Sequence, residues 1–315
     1  MQSNQALGAI DISFLEDGNT GIPFVHRFDG PGAGPDRVVM ALTHGNEVSG
    51  AHALVDLMAL GDPTPKNGSL TIGFANVAAY HRFDASNPRQ SRYVQEDMNR
   101  VWDEPTLNGD RSSVELRRAR ALLPVIKKAD ILLDLHSMQT AGPPLMLAGT
   151  AERGRNLARR MGYPGIIVVD SGHSGGRRMR DFKPFCDPQG SATALLAECG
   201  QHWEQETVTI AREVLARFLV TTGAISRQSA TQLSPLPDRP EPQVIEVTDR
   251  ITISTDRFRF LSDFHGMETI PSAGTVLGYD GNRPIATPYD ECVLIMPSRR
   301  LIRGQTAVRL GRYVP

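Results

Sequence analysis

The sequence predicts an α/β chain: a three-layer domain on a mixed, mostly parallel central sheet, followed by a small all-β domain. Three observations carry that prediction. From residue 37 to residue 222, short apolar runs alternate with stretches of helical apolar spacing. At 226–243 a polar, proline-rich stretch interrupts the pattern. Beyond it the apolar runs are short and divided by Gly and Pro, as antiparallel strands are. Residues 1–230 are therefore read as one domain and 240–315 as a second.

The elements follow in order. Residues 37–43 form an apolar run ending in His-Gly-Asn-Glu, a buried strand meeting a loop. Residues 49–60 have helical spacing, stopped by Gly-Asp-Pro-Thr-Pro. A strand is expected at 69–75. An amphipathic helix is expected at 112–128, where Pro124 is placed to kink or divide it. The run 129–137 reads as a strand ending at His136, 151–161 as a helix, 165–172 and 192–200 as strands, and 204–222 as a long helix. The tail from residue 244 has the spacing of a compact β-sandwich or barrel. The Gly-rich stretch at 30–36 precedes the first clear strand and contains prolines, so it reads as a turn and not a dinucleotide-binding fingerprint.

Composition narrows the function. The chain has 315 residues and 34 basic against 35 acidic side chains. Such balance creates no global field for nucleic acid or an anionic membrane, so neither is expected as a partner. No run approaches the roughly 18 apolar residues of a membrane helix, and the N-terminus lacks the pattern of a signal peptide. Three scattered cysteines, Cys186, Cys199 and Cys292, argue against a disulfide framework. A cytoplasmic protein is the resulting expectation; homo-oligomerisation is left open.

The chemistry-bearing residues lie at strand ends. His44 and Glu47 follow the first strand, His136 ends another and Glu198 a third. In an open α/β sheet, loops at the carboxyl ends of strands share one crevice. Two imidazoles and a carboxylate suit zinc, leaving the fourth position for water. One Zn2+ per chain held by His44, Glu47 and His136 is therefore expected, with Glu198 as the general base. A lone His-x-x-Glu is common by chance; the joint placement gives it weight.

The segments THGNEVSG, SRYVQEDMNRVW, LLDLHSM and LAECG resemble the succinylglutamate desuccinylase and aspartoacylase family, itself related to the zinc carboxypeptidases. The resemblance spans about 36–222 and, more weakly, the β tail. It implies a zinc carboxypeptidase-like fold and a deacylase that cleaves the amide of a small N-acylated substrate. It also implies that Asp97 orients His44, that Asn99 and Arg100 grip a substrate carboxylate, and that Arg92 polarises the scissile carbonyl. Tyr289 matches a substrate-contacting tyrosine. The family's further arginine, upstream of the catalytic glutamate, falls here near Pro188 and is missing; Arg177, Arg178, Arg180 and Lys183 are the nearby substitutes, with solvated surface charge as the default role for most. The loop 171–183 is expected to be a mobile lid.

Three other readings stand beside this one. A zinc carboxypeptidase acting on small peptides shares the site. Gly172-His173-Ser174-Gly175-Gly176 fits the nucleophile elbow of serine hydrolases, with Ser174 as nucleophile, but no helix pattern follows it. A non-catalytic metal-binding protein would have lost a ligand or the base, and none is lost.

Overall fold

The structure is a computed structural model and describes residues 7–172 and 175–315. The strands, in chain order, are β1 (Val25–Asp29), β2 (Asp36–Ala41), β3 (Ser69–Phe74), β4 (Ile131–Met138), β5 (Leu145–Leu147), β6 (Ile166–Val169), β7 (Thr193–Gln201), β8 (Gln243–Thr252), β9 (Phe258–Phe260), β10 (Glu268–Ile270), β11 (Val276–Asp280), β12 (Arg283–Ala286), β13 (Cys292–Ile295) and β14 (Thr306–Val314). Among the described residues eleven of them form one sheet in the order β1-β3-β2-β4-β7-β5-β6-β8-β14-β13-β10, and β12-β11-β9 form a second. From β3 through β2 and β4 to β7 the pairing is parallel throughout, and from β8 to β10 it is antiparallel throughout.

Alternation along the central strands divides the core. Val39, Ala41, Leu133, Leu135, Leu195 and Ala197 face the helices Ser49–Ala59, Glu152–Met161 and Gln205–Thr221. Val38, Met40, Leu132 and Ala194 face the helix Val114–Lys128, which contributes Leu116, Ala119, Leu122 and Ile126. The strands read as continuous apolar runs because both of their faces are buried. Helix Val114–Lys128 runs through Pro124 undivided; the four apolar residues seated on the sheet hold both sides of the proline in place. Two strands escape the sequence pattern. β1 buries one residue of five, and β5 has three residues, so neither makes an apolar run of recognisable length.

Two expectations about the C-terminal part are refined. The stretch 226–243 is a packed strap rather than a free linker: Ala230, Leu233 and Leu236 are buried in the main core, and Arg239 pairs with Glu213 at 2.6 Å. The tail's strands divide between the two sheets, with Ile251 and Phe260 in the apolar layer they share. β8 pairs in parallel with β6, so the large sheet passes without a break into the C-terminal strands. Met138, Leu147, Val168, Leu196, Ile245 and Val293 form one apolar cluster across that join. No helix among the described residues is long and apolar enough to cross a membrane.

Candidate metal centre

Strand order gathers the site. β2, β4 and β7 are successive neighbours, all parallel, so their carboxyl ends lie side by side. His136 on β4 stands in register with Glu198 on β7. His44 and Glu47 lie in the turn that leaves β2. That turn starts at Leu42, a buried non-glycine residue with a left-handed φ of 57°. A side chain on Gly45 would strike the backbone of Ala79, Tyr80 and Ser91, so glycine is required where the segment carrying Arg92 comes close. Gly45 N then donates to Arg92 O at 3.1 Å.

Glu47 is the hub. Its Oε1 lies 2.7 Å from His44 Nδ1, and its Oε2 lies 2.8 Å from His136 Nδ1 and accepts from Ser137 N at 3.1 Å. Arg92 Nη1 donates to Oε1 at 3.1 Å. On the far side of each imidazole stands a second carboxylate. His44 Nε2 is 2.9 Å from Asp97 Oδ1, and His136 Nε2 is 2.8 Å from Asp134 Oδ2. The second pair has the distance of a hydrogen bond but not its direction, since neither atom makes one by geometry. Thr43 Oγ1 holds the other oxygen of Asp134 at 2.8 Å.

This arrangement could hold a divalent cation. One ligand atom each from His44, Glu47 and His136 lies within 4.8 Å of the others, and all three residues are buried. Both Nδ1 atoms face Glu47 and a carboxylate stands beside each Nε2; with a cation at the Nδ1 atoms, Asp97 and Asp134 would accept from Nε2–H. Charge agrees. Glu47, Asp97 and Asp134 oppose the single cation of Arg92 and leave two negative charges. One divalent ion with neutral imidazoles balances them, as do two imidazolium ions.

The protein's own charges act strongly on this site. Burial pulls the His136 imidazole down, but Asp134 and Glu47 outweigh it and hold its pKa well above the usual value. Burial raises Glu47, and the two histidines outweigh that and hold it well below the carboxylate range. Asp97 is likewise held low against its burial by His44 and Arg92. Glu198 goes the other way. Burial, then the charge of Glu47, pushes it up to about 8, and its Oε2 makes no hydrogen bond. A cation bound beside it would draw that value back down. An unpartnered carboxyl with a raised pKa is suited to accept and return a proton.

The centre opens into a cavity of about 350 Å³. Arg92, Asn99 and Arg100 line it with the metal-site residues, so the structure brings these sequence candidates together. Asn99 is nonetheless committed to the wall: its Oδ1 accepts from Met179 N at 2.9 Å. Arg92 contacts Glu47, His44 and Asp97 at once. Tyr289 does not join them. It is absent from the cavity wall, its hydroxyl meets Thr248 Oγ1 at 2.5 Å, its ring stacks under Arg312, and it packs in the C-terminal core.

The region expected to be a lid is packed where it is described, and part of its expected surface charge is buried. Arg178 is buried and bonded to Asp170 at 2.6 Å and Asp181 at 2.5 Å; Arg180 is buried on Asp181 and the carbonyls of Ala148 and Ala194. Trp102 N donates to Arg177 O, tying residues 176–182 to the segment that carries Asn99. Charge paired on both sides makes this stretch a wall. Only Arg177 and Lys183 are exposed as expected. Ser174, the rival nucleophile, lies outside the described residues.

Several residues of the site and of the cavity wall escaped the sequence reading. Asp134 had a legible signal, a charge inside an apolar strand two positions before His136 and on the same face. Arg309 had a similar one in β14. His202, anchored by Ser137 Oγ at 2.8 Å and pushed down to about 4 by burial, had none, nor had the 296–306 segment that closes the cavity.

A family model described as the succinylglutamate desuccinylase/aspartoacylase catalytic domain matches residues 33–220. No curated protein matches the chain. Among solved structures, a succinylglutamate desuccinylase from Vibrio cholerae superposes with a TM-score of 0.70 at 17% identity, covering 98% of this chain and 90% of that one. One from Vibrio parahaemolyticus gives 0.67 at 16% identity, over 93% and 87%. The product-bound ectoine utilization protein EutE (DoeB) from Ruegeria pomeroyi gives 0.60 at 18% identity, over 91% and 87%. At these identities the structural likeness speaks for the fold.

Proposed function

The chain belongs to the succinylglutamate desuccinylase/aspartoacylase family, and from that premise we propose that it is a zinc-dependent hydrolase of the amide bond in a small N-acyl amino acid or related carboxylate. The observation that carries this reading is the meeting of His44, Glu47 and His136 within 4.8 Å, beside Glu198 on the adjoining strand. Two imidazoles and a carboxylate, each braced by a further group, are a donor set suited to zinc. The zinc carboxypeptidase-like relationship belongs to the same reading. So do a catalytic unit at 1–230, a C-terminal unit at 240–315 and a cytoplasmic location.

When bound, zinc supplies Lewis acidity that polarises a carbonyl and acidifies water. The chain's own residues do the rest. Glu198 takes a proton from the attacking water and returns it to the departing nitrogen. Arg92 donates to the oxygen on which negative charge develops, a contribution typically worth about 3–4 kcal/mol. Arg100 holds the substrate carboxylate, and Asn99 fixes the wall beside it. Asp97 and Asp134 keep the two imidazoles turned.

A deacylase is favoured over a carboxypeptidase on peptides by one observation. The segment 296–306 and the wall at 175–178 bound a cavity of about 350 Å³, which suits a small molecule more than an extended peptide. The test is a hydrolysis screen of N-acyl amino acids with zinc-loaded and chelated protein. We expect turnover that chelation abolishes and zinc restores. Turnover that survives chelation, or no turnover of any N-acyl amino acid, would overturn the reading.

A further inference from the structure

The loop that carries two charged groups of the site is gathered by a carboxylate outside the cavity lining. Arg92 and Asp97 stand at the ends of residues 93–96, which belong to no helix or strand. Backbone N–H groups in such a stretch need partners from elsewhere. Three successive ones find the same side chain. Glu115 Oε1 accepts from Val94 N at 2.6 Å, and Oε2 accepts from Gln95 N at 3.1 Å and Glu96 N at 3.3 Å. Glu115 lies in the first turn of the helix Val114–Lys128 and is fully buried. The loop returns one bond. Gln95 Oε1 accepts from Val114 N at 2.6 Å, which satisfies a donor at the start of that helix.

The same carboxylate reaches the segment that leads to the metal ligands. Its Oε1 also accepts from Asn76 Nδ2 at 3.2 Å. Asn76 N donates to Leu42 O at 2.8 Å, where the turn to His44 and Glu47 begins. Glu115 thus ties together the two stretches of backbone whose side chains meet at Glu47 and His44.

We propose that Glu115 is a positioning residue for the metal centre: by gathering the N–H groups of residues 94–96 it sets where Arg92 and Asp97 stand against Glu47 and His44. This rests on the reading of the chain as a zinc-dependent hydrolase. Arg92 reaches Glu47 at 3.1 Å and Asp97 reaches His44 at 2.9 Å. A loop shifted by about an ångström breaks contacts of that length, and a misplacement of that size costs about a hundredfold in rate. A carboxylate suits the task because it turns two acceptor oxygens toward the four N–H donors. Glutamine would turn an NH2 toward some of them.

Hydrogen exchange and two mutant cycles test this. In Glu115→Gln the segment 93–97 should exchange faster while β2, β4 and β7 keep their protection. Exchange that rises equally everywhere, or nowhere, overturns the proposal. Zinc affinity is then compared for wild type, Glu115→Gln, Asp97→Asn and the double variant. We expect Glu115→Gln to weaken zinc about tenfold alone and less than about threefold once Asp97 is replaced. Turnover is read the same way against Arg92→Met. Glu115→Gln should lower kcat/KM about tenfold to a hundredfold alone and by less than about threefold in the Arg92→Met background. Losses that multiply in full in either cycle mark a residue serving stability alone and overturn the proposal. Where Glu115→Gln yields no folded protein, Gln95→Ala replaces it, since it removes only the return bond from an exposed side chain. The segment 93–97 should again exchange faster, and no change overturns the proposal. Should no N-acyl amino acid be turned over, the reading of the function fails by itself, and exchange and zinc affinity still decide the role of Glu115.

Discussion

Two walls of one cavity differ in the sign of the charge they leave unbalanced. At the β2–β4–β7 end, Glu47, Asp97 and Asp134 outnumber Arg92; at the β6–β14 end, Arg178, Arg180 and Arg309 outnumber Asp170 and Asp181. The first surplus suits a cation. On the proposed function, a small anionic substrate entering between walls of opposite sign would be oriented before any catalytic contact forms.

The largest expected effect falls on the chemistry of the first wall. Glu198→Gln keeps shape and removes the proton acceptor, so kcat should fall about a thousandfold or more while zinc content stays at one per chain. A variant with substantial turnover would separate Glu198 from the reaction. The second wall should fail differently. Arg178→Met takes from Asp170 its closest partner and from Asp181 one of two, and should cost about 3–5 kcal/mol of stability, read from denaturant midpoints, with zinc affinity little changed. Equal damage to zinc affinity would mean the walls are not independent.

The smallest expected effects are on zinc affinity itself. Asp134 and Glu47 hold His136 above its usual pKa in the protein without zinc, which favours its protonated form. Ligation must expel that proton, so zinc affinity should rise with pH, by about tenfold per unit for each proton released, and fall in acid. Competition titrations at several pH values would read it. Asp134→Asn should weaken zinc about tenfold to a hundredfold at each pH; no change would leave Asp134 merely structural.

The two walls were also unequally legible in the sequence. The convergence of the candidate site was readable because its residues follow apolar runs that read as buried strands, and strand ends converge by topology. His44, His136 and Glu198 needed nothing further. The arginine wall was not readable for the opposite reason. Arg178 and Arg180 sit in a Gly-rich, strongly basic stretch that looks solvated, and what buries them is Asp170 and Asp181, ordinary loop acids until the chain folds. Arg309 shows as a charge inside an apolar strand, but its place at the cavity depends on a pairing of β8 with β6 at a separation of 77 residues, which no local pattern encodes. Tyr289 lies away from the cavity lining for a similar reason, since the short strands around it fix no register from sequence alone.

That pairing has a further consequence. β6 has β5 on one flank and β8 on the other, so a chain stopped near residue 230 would leave one side of β6 with its amide and carbonyl groups facing water. An open, apolar ladder of this kind recruits other chains. Shortening the protein to its N-terminal unit should therefore yield a sticky, self-associating species, and solubility, before any assay, would reveal how much the last strands contribute as a cap.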